Sequence, residues 1–453
     1  MENYKIVIIG GGPAGYAAAV KASQLGVKTA LIEKTKLGGV CLHQGCIPTK
    51  ALCSFADRKI PFTEAIKEKE AAVKNLEKQV EYLVSSNKIA LYRGTANITS
   101  LNEISIKTRE GAEVISAEKI IIATGSSPAI PDNLKNSDRE KILTSDEVVN
   151  LYSLPKKILI IGGGYIGCEF ATIFSSYGVD VEIVESFSKL LPMEDDDVVD
   201  EVSVHFKKAG IKIHTSTKVE SVETKTSVKA ALSDGSIVEC DLVLVAIGRS
   251  PNSNGIGLEK IGIQMSSKGI KINERMETNI RGVYAVGDVA DKELKLAHVA
   301  EGEGIVAVEN ALNDIVKKAS IVDYRHVPRA IFTKPEIAAV GLTELKLKEK
   351  GIKYTTGKWQ FKWNGKAQAE GDTEGFAKVM ISSDLKILGA YIVGRNASEL
   401  IGRVVDAIND KCNGHELMKY LSNPIYCFHP SRNEAVKDAV NEALKKIHKG
   451  KLE

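Results

Sequence analysis

Seven cysteines in 453 residues are too few and too scattered to staple a chain of this length. Five stand alone, Cys53, Cys168, Cys240, Cys412 and Cys427, so a secreted-type disulfide framework is excluded. A reducing, cytoplasmic setting is expected, in which any disulfide is a working part. No apolar run approaches the ~20 residues that a membrane span requires. The apolar stretch 4–9 begins so near the first residue that no signal or transit peptide is expected ahead of it. Net charge is only +3 and the basic residues are dispersed, so neither nucleic acid nor an anionic membrane is an expected partner. The lysines from Lys445 to Lys451 read as a solvated helix end. With 43% hydrophobic and 26% charged residues, what remains is a globular chain long enough for several domains.

Glycine, by contrast, is concentrated where it matters. Residues 5–9 form a short β-branched run that ends in Gly10-Gly11-Gly12-Pro13-Ala14-Gly15. An alanine-rich helical pattern follows over 16–25, then a second strand over 29–32 that closes at Glu33. Strand, G-x-G-x-x-G, helix, strand and acid in that order describe a dinucleotide cradle. Gly10, Gly12 and Gly15 let the backbone approach a pyrophosphate at the helix N-terminus, and Glu33 is placed to accept hydrogen bonds from an adenosine ribose. The pattern returns 152 residues later, with a strand at 157–161, then Gly162, Gly164 and Gly167, then a strand at 181–184 and Glu185. Two cradles imply two dinucleotides. Glu185 accepts from a free 2′-hydroxyl and repels a 2′-phosphate, and Ser186-Phe187-Ser188 supplies no arginine, so NAD is expected rather than NADP.

The stretches 120–125 and 242–248 read as buried strands that close the two cradles and bring Gly125 and Gly248 beside them. A further strand over 283–286 ends at Gly287-Asp288, whose acid suits a ribityl or ribose hydroxyl. Residues 64–84 carry Ile66, Val73, Leu76, Val80 and Leu83 at helical spacing, an exposed amphipathic helix. From about Val327 the pattern changes to strand-like segments (377–381, 387–393) and two helical stretches, without a third phosphate loop. That part suits structural or assembly work.

Between the first cradle and the amphipathic helix lies Gly38-Gly39-Val40-Cys41-Leu42-His43-Gln44-Gly45-Cys46-Ile47-Pro48-Thr49-Lys50. Residues five apart on a regular helix are roughly 8–9 Å apart at Cα. A disulfide needs about 4.4–6.8 Å. The two cysteines can bridge only if the turn is distorted, which Gly45 and Pro48 permit. A metal site would need further Cys or His partners nearby, and no second pair exists. Two unrelated buried thiols stay possible from this stretch alone. Beside two dinucleotide cradles, the pair reads as the dithiol end of a flavoprotein electron relay. Near the C-terminus, Cys427-Phe428-His429-Pro430-Ser431-Arg432-Asn433-Glu434 offers a histidine with a carboxylate five residues on. It could be a base and its orienting acid, or an ordinary surface histidine.

These motifs, joined by Leu296-Ala297-His298 with Glu301 and Glu303-Gly304, and by His326-Val327-Pro328 with Thr333-Lys334-Pro335-Glu336, resemble the dimeric flavoprotein disulfide reductases over essentially the whole chain. The similarity is strongest to the branch that oxidises dihydrolipoamide. The resemblance implies an α/β fold with two Rossmann-like dinucleotide-binding domains, for FAD and NAD, plus a C-terminal α+β dimerisation domain. The implied boundaries are 1–145 and 263–327 for FAD, 146–262 for NAD and 328–453 for the interface. It makes Cys41 the interchange thiol and Cys46 the flavin-side thiolate. Lys50, near the flavin, would pair with Glu169. Asp288 and Ala297 would complete the FAD site, and His429 held by Glu434 would move protons. In this family that histidine comes from the partner subunit, so a homodimer with a shared active site is implied, with a lipoyl domain or lipoyl carrier protein as substrate.

The chain departs from that branch at His43 (usually Asn), Thr49 (usually Ser), and Cys427-Phe428 (usually His-Ala). Phe428 stands where it would reshape the substrate channel. Reductases of glutathione or trypanothione are disfavoured by Glu185. Mercuric and high-molecular-weight thioredoxin reductases are disfavoured by the lack of a C-terminal cysteine pair, and soluble transhydrogenases by the presence of Cys41 and Cys46. The remaining alternatives are NADH-dependent reduction of another small disulfide and a non-catalytic nucleotide-binding scaffold.

Overall fold

The structure, a computed structural model, describes residues 1–135, 138–224, 227–409 and 414–450. Cys412 and Lys451 lie outside them. The backbone divides into two compact units. The first takes Met1–Pro155, Thr224–Thr226 and Leu242–Val322; the second takes Lys156–Glu223, Ser227–Asp241 and Asp323–Glu453.

The first unit is built around the strand Glu2–Ile9, whose residues 6–9 are buried on both sides. Across the sheet the order is Ala90–Arg93, Thr29–Glu33, Glu2–Ile9, Ala112–Ile122, Glu103–Lys107 and Thr95–Ser100, with Val283–Ala285 also beside Ala112–Ile122. The strands around Glu2–Ile9 run parallel, so their tips and the loops that follow gather at one end, where such sheets bind ligands. The expected alanine-rich helix is Pro13–Gln24, with Pro at its first turn. Small residues are needed there because the helix Ala297–Ala311 crosses closely: a Cβ on Gly304 would lie 2.3 Å from the Ala14 carbonyl oxygen.

The amphipathic segment folds as the helix Phe62–Ser86, with Ile66 and Val84 buried. Its polar pattern hides one surprise. Lys69 is 2% exposed, its ammonium donating to the Val149 carbonyl at 3.0 Å and to Asn150 Oδ1 at 3.3 Å. Burial pushes that ammonium below its ordinary pKa.

The second unit opens with parallel strands Lys157–Ile161, Asp180–Val184 and Lys212–His214. It closes with an antiparallel sheet in the order Arg329–Ile331, Ile337–Gly341, Ile387–Val393, Phe376–Ile381 and Thr355–Gln360. The helix Glu434–His448 lies directly on the last strand. A Cβ on Gly357 would come within 1.9 Å of the Ala439 carbonyl oxygen, so only glycine allows that approach.

A buried charge cluster ties the start of the helix Asp196–Lys208 to this sheet. Lys378, 1% exposed, reaches Asp195 at 2.9 Å, Asp197 at 2.7 Å and Glu344 at 3.6 Å. Beside it, Glu194 receives Arg329 at 3.1 Å and the hydroxyls of Tyr391 and Tyr165 at 2.8 Å. Burial alone would depress the Lys378 ammonium, but Asp195 and Asp197 outweigh it and raise its pKa. Lys378→Met should therefore leave the buried Asp195 carboxylate without its cation, while Asp197 keeps Lys358 at 2.7 Å, and destabilise this unit by about 3–5 kcal/mol. Denaturant titration checks this, and adding Asp195→Asn should recover a large part. An unmoved midpoint in Lys378→Met would count against the network as a clamp.

Candidate active site

The two cradles share one geometry. Gly10 and Gly162 take left-handed φ of +107° and +111°, open to glycine alone. A Cβ on Gly15 would sit 1.8 Å from the Gly10 oxygen, and one on Gly167 would sit 1.9 Å from the Gly162 oxygen. Gly12 and Gly164 cap the helices Pro13–Gln24 and Tyr165–Ser176 in extended backbone, and no side chain caps either helix. Each N-terminus thus keeps its N–H groups for an anion. Glu33 accepts from the Gly11 N–H at 2.7 Å and the Thr35 N–H at 2.7 Å; Glu185 accepts from the Gly163 N–H at 2.6 Å and the Phe187 N–H at 2.8 Å. Glu33 Oε1 also accepts from the Thr35 hydroxyl at 2.9 Å and Glu185 Oε1 from the Ser186 hydroxyl at 3.1 Å, so it is the Oε2 of each that keeps a lone pair able to accept from a ligand hydroxyl. A cavity of about 270 Å³ opens beside Gly10 and Glu33, bounded also by Lys34, Thr124 and Asn252. The residues of the first cradle fit an FAD and those of the second an NAD.

Asp288 stands just past the strand Val283–Ala285, and one of its oxygens accepts from the Ser126 hydroxyl at 2.6 Å. Ser126 in turn accepts from Arg249 Nε at 2.8 Å, while its carbonyl accepts from Arg249 NH2 at 2.8 Å. This Arg249–Ser126–Asp288 chain fixes the acid and leaves its other oxygen able to accept from a ligand hydroxyl. Sequence reasoning assigned no role to Ser126 or Arg249, which meet across 123 residues where periodicity carries no signal. Gly125 (φ +70°) and Gly248 (φ +124°) end the strands Ala112–Ile122 and Leu242–Val245. Ala297 is the first residue of the helix Ala297–Ala311.

The cysteine stretch is distorted where the spacing demands it. A short helix, Gly39–His43, stops at Gln44, and a new one, Cys46–Asp57, starts at Cys46 after Gly45. The break turns Cys46 back toward Cys41, and the two thiols are in hydrogen-bond contact. Both are half-buried. Cys46 opens its helix, at the end where unpaired N–H groups favour negative charge. The Cys41 thiol is pushed above its ordinary pKa, first by the hydrogen bond to Cys46 and then by burial, while the Lys50 ammonium pulls it down. Thr49 donates its hydroxyl to the Gly45 carbonyl, and His43 Nε2 meets the Leu37 carbonyl at 2.8 Å, so both departures brace the break. Tyr16 donates to Glu301 at 2.6 Å; the Glu301 carboxylate adds to the rise of the Cys41 thiol, and the two cysteines in turn add to the rise that burial gives the Tyr16 hydroxyl. Neither Tyr16 nor Glu301 had been read as a site residue.

Cys41, Cys46 and Lys50 belong to the first unit, and His429, Glu434 and Glu169 to the second. His429 Nδ1 lies 3.1 Å from Glu434 Oε1, and the Ser431 N–H donates to the other Glu434 oxygen at 3.0 Å. Burial would raise the Glu434 carboxyl, but Ser431 and His429 outweigh it and hold it below its ordinary value. His429 is itself largely exposed, and so is Phe428. Glu169 is buried and accepts from the Phe332 N–H at 3.0 Å.

Residues 4–304 match the pattern of the pyridine nucleotide-disulphide oxidoreductases, and residues 327–440 match that family's dimerisation domain. The chain is 35% identical to the dihydrolipoyl dehydrogenase of Bacillus subtilis, covering 96% of this chain and 97% of that one. It is 38% identical to the mitochondrial dihydrolipoyl dehydrogenase of Pisum sativum, with 97% and 91% covered. Against the leghemoglobin reductase of Glycine max the figures are 37% identity, 99% and 89%. The HOCl-induced flavoprotein disulfide reductase of Escherichia coli superposes with a TM-score of 0.89 at 28% identity, over 97% of this chain and 99% of that structure. Among the described residues, no helix is long and apolar enough to cross a membrane.

Proposed function

Because this chain belongs to the pyridine nucleotide-disulphide oxidoreductase family, with FAD and NAD as its cofactors, we propose that it is a dihydrolipoyl dehydrogenase. It would oxidise dihydrolipoyl groups on a lipoyl domain or lipoyl carrier protein and reduce NAD⁺ to NADH. The observation that carries this reading is the Cys41–Cys46 thiol pair beside Lys50, on a helix break in the same unit as the first cradle. Residues 1–145 and 263–327 are assigned to FAD, 146–262 to NAD and 328–453 to a homodimer interface. The isolated cysteines favour the cytoplasm.

Each residue has a task in this chemistry. With the pair oxidised, a substrate thiolate attacks Cys41 Sγ, the Cys41–Cys46 bond breaks, and Cys46 leaves as a thiolate stabilised by its helix N-terminus and Lys50. The second substrate thiol then displaces Cys41, closing the lipoyl disulfide. His429, oriented by Glu434 and supplied by the second subunit, takes the proton from each incoming thiol. Bound FAD supplies the two-electron chemistry that links the resulting dithiol to NAD⁺.

Anaerobic titration of the FAD-loaded protein with dihydrolipoamide, then NAD⁺, tests the reading. A long-wavelength absorbance band should form with the first reagent and vanish as NADH appears at 340 nm, the familiar nicotinamide wavelength. A band raised by NADH but not by dihydrolipoamide would keep the relay and replace the substrate with another small disulfide. No band from either would favour the scaffold.

A further inference from the structure

The loop 429–434 carries the exposed His429, yet three residues on it sends one side chain deep into the fold. Arg432 is 5% exposed and lies 5.2 Å above the Phe361 ring. Its Nε donates to Glu370 at 2.9 Å and its NH2 to the Asp372 carbonyl at 2.7 Å. Its NH1 is buried with no partner among the described residues. Next to it, Asn364 Nδ2 donates to the Ser431 carbonyl at 3.0 Å, and a Cβ on Gly365 would lie 3.8 Å from His429 Cε1.

A buried guanidinium with an unsatisfied donor is a poor choice for stability alone, since a methionine of similar reach would cover Phe361 without a charge to desolvate. What the arginine adds is direction, because its planar fork fixes the loop at two points that an apolar side chain cannot address. We propose that Arg432 is a positioning residue that seats the loop 429–434 on the segment 361–372, and so sets the orientation of the His429–Glu434 pair. The inference rests on the reading of His429 as the proton carrier. Glu370 and Asp372 keep 30% and 37% side-chain exposure, so they remain solvated when the arginine is removed.

The test compares Arg432→Met and Arg432→Lys with the unmodified FAD-loaded dimer. Arg432→Met should melt within a few degrees of the parent and undergo normal flavin reduction by NADH. Its turnover with dihydrolipoamide should fall about tenfold or more, with a displaced pH profile, and Arg432→Lys, which keeps the charge but not the two-point fork, should recover little of either. A second readout needs no substrate: the pH dependence of carbethoxylation of the His429 peptide, followed by mass spectrometry. Its midpoint should move in Arg432→Met and stay displaced in Arg432→Lys, which lacks the fork. An unmoved midpoint with parental turnover would overturn the proposal, as would equal loss of both half-reactions with a lowered melting temperature. If the parent itself does not oxidise dihydrolipoamide but the midpoint still moves, the seating role stands and the substrate reading falls.

Discussion

Cys46→Ser is expected to lower dihydrolipoamide turnover by roughly 10³-fold or more while the protein still binds FAD. In the proposed mechanism the sulfur at the first residue of the helix Cys46–Asp57 is the leaving group when the disulfide opens, and a serine hydroxyl can neither form that bond nor leave as a stabilised anion there. The long-wavelength band should be absent whichever reductant is used. Cys41→Ser should be as inactive, but it keeps the Cys46 sulfur and should therefore keep a band in the resting protein. That contrast separates the two sulfurs. Equal spectra for the two variants would sink the assignment of Cys46 as the thiolate, and substantial turnover in either would sink the dithiol mechanism.

The second large effect belongs to His429. His429→Gln should lower dihydrolipoamide oxidation by roughly 10²–10⁴-fold, the usual contribution of a positioned acid–base group. Reduction of the oxidised protein by NADH, which asks nothing of an incoming thiol, should proceed at the parental rate. Glu434→Gln keeps a partner for the ring, whose Nδ1 stands 3.1 Å from Glu434 Oε1, but removes the carboxylate charge beside it, so its loss should be smaller. Stopped-flow measurement of the two half-reactions decides the matter, and parallel slowing of both in His429→Gln would count against the acid–base role.

Which features were legible follows from how far each contact reaches along the chain. The two cradles could be read because strand, glycines, helix and acid lie within about 25 residues and their chemistry is local. The match extends to detail, since Gly11 N–H meets Glu33 and Gly163 N–H meets Glu185 at the same spacing of 22 residues. The break at Gln44-Gly45 was foreseeable from the cysteine spacing. The Arg249–Ser126–Asp288 chain was not, because Ser126 and Arg249 carry no local signal and reach Asp288 only when strands far apart in sequence pair. Lys69, Lys378 and Arg432 carry polar labels yet lie inside, and charge patterning assigns such residues to the surface. The helix Phe62–Ser86 was found because its apolar stripe obeys the helical period, whereas its one buried lysine breaks that pattern.

The interleaving of the two units bears on synthesis. The ribosome releases residues 1–155 long before 242–322, yet both stretches belong to the first unit. Until then the strand Ala112–Ile122 lacks its neighbour Val283–Ala285, and Asp288 does not yet exist. At typical elongation rates of about 5–20 residues per second, the nascent chain waits on the order of ten to thirty seconds with an unpaired sheet edge. FAD capture is therefore a late event in the life of the polypeptide. Expression with chaperones that shield open edges should raise the yield of flavin-loaded protein more than added flavin does.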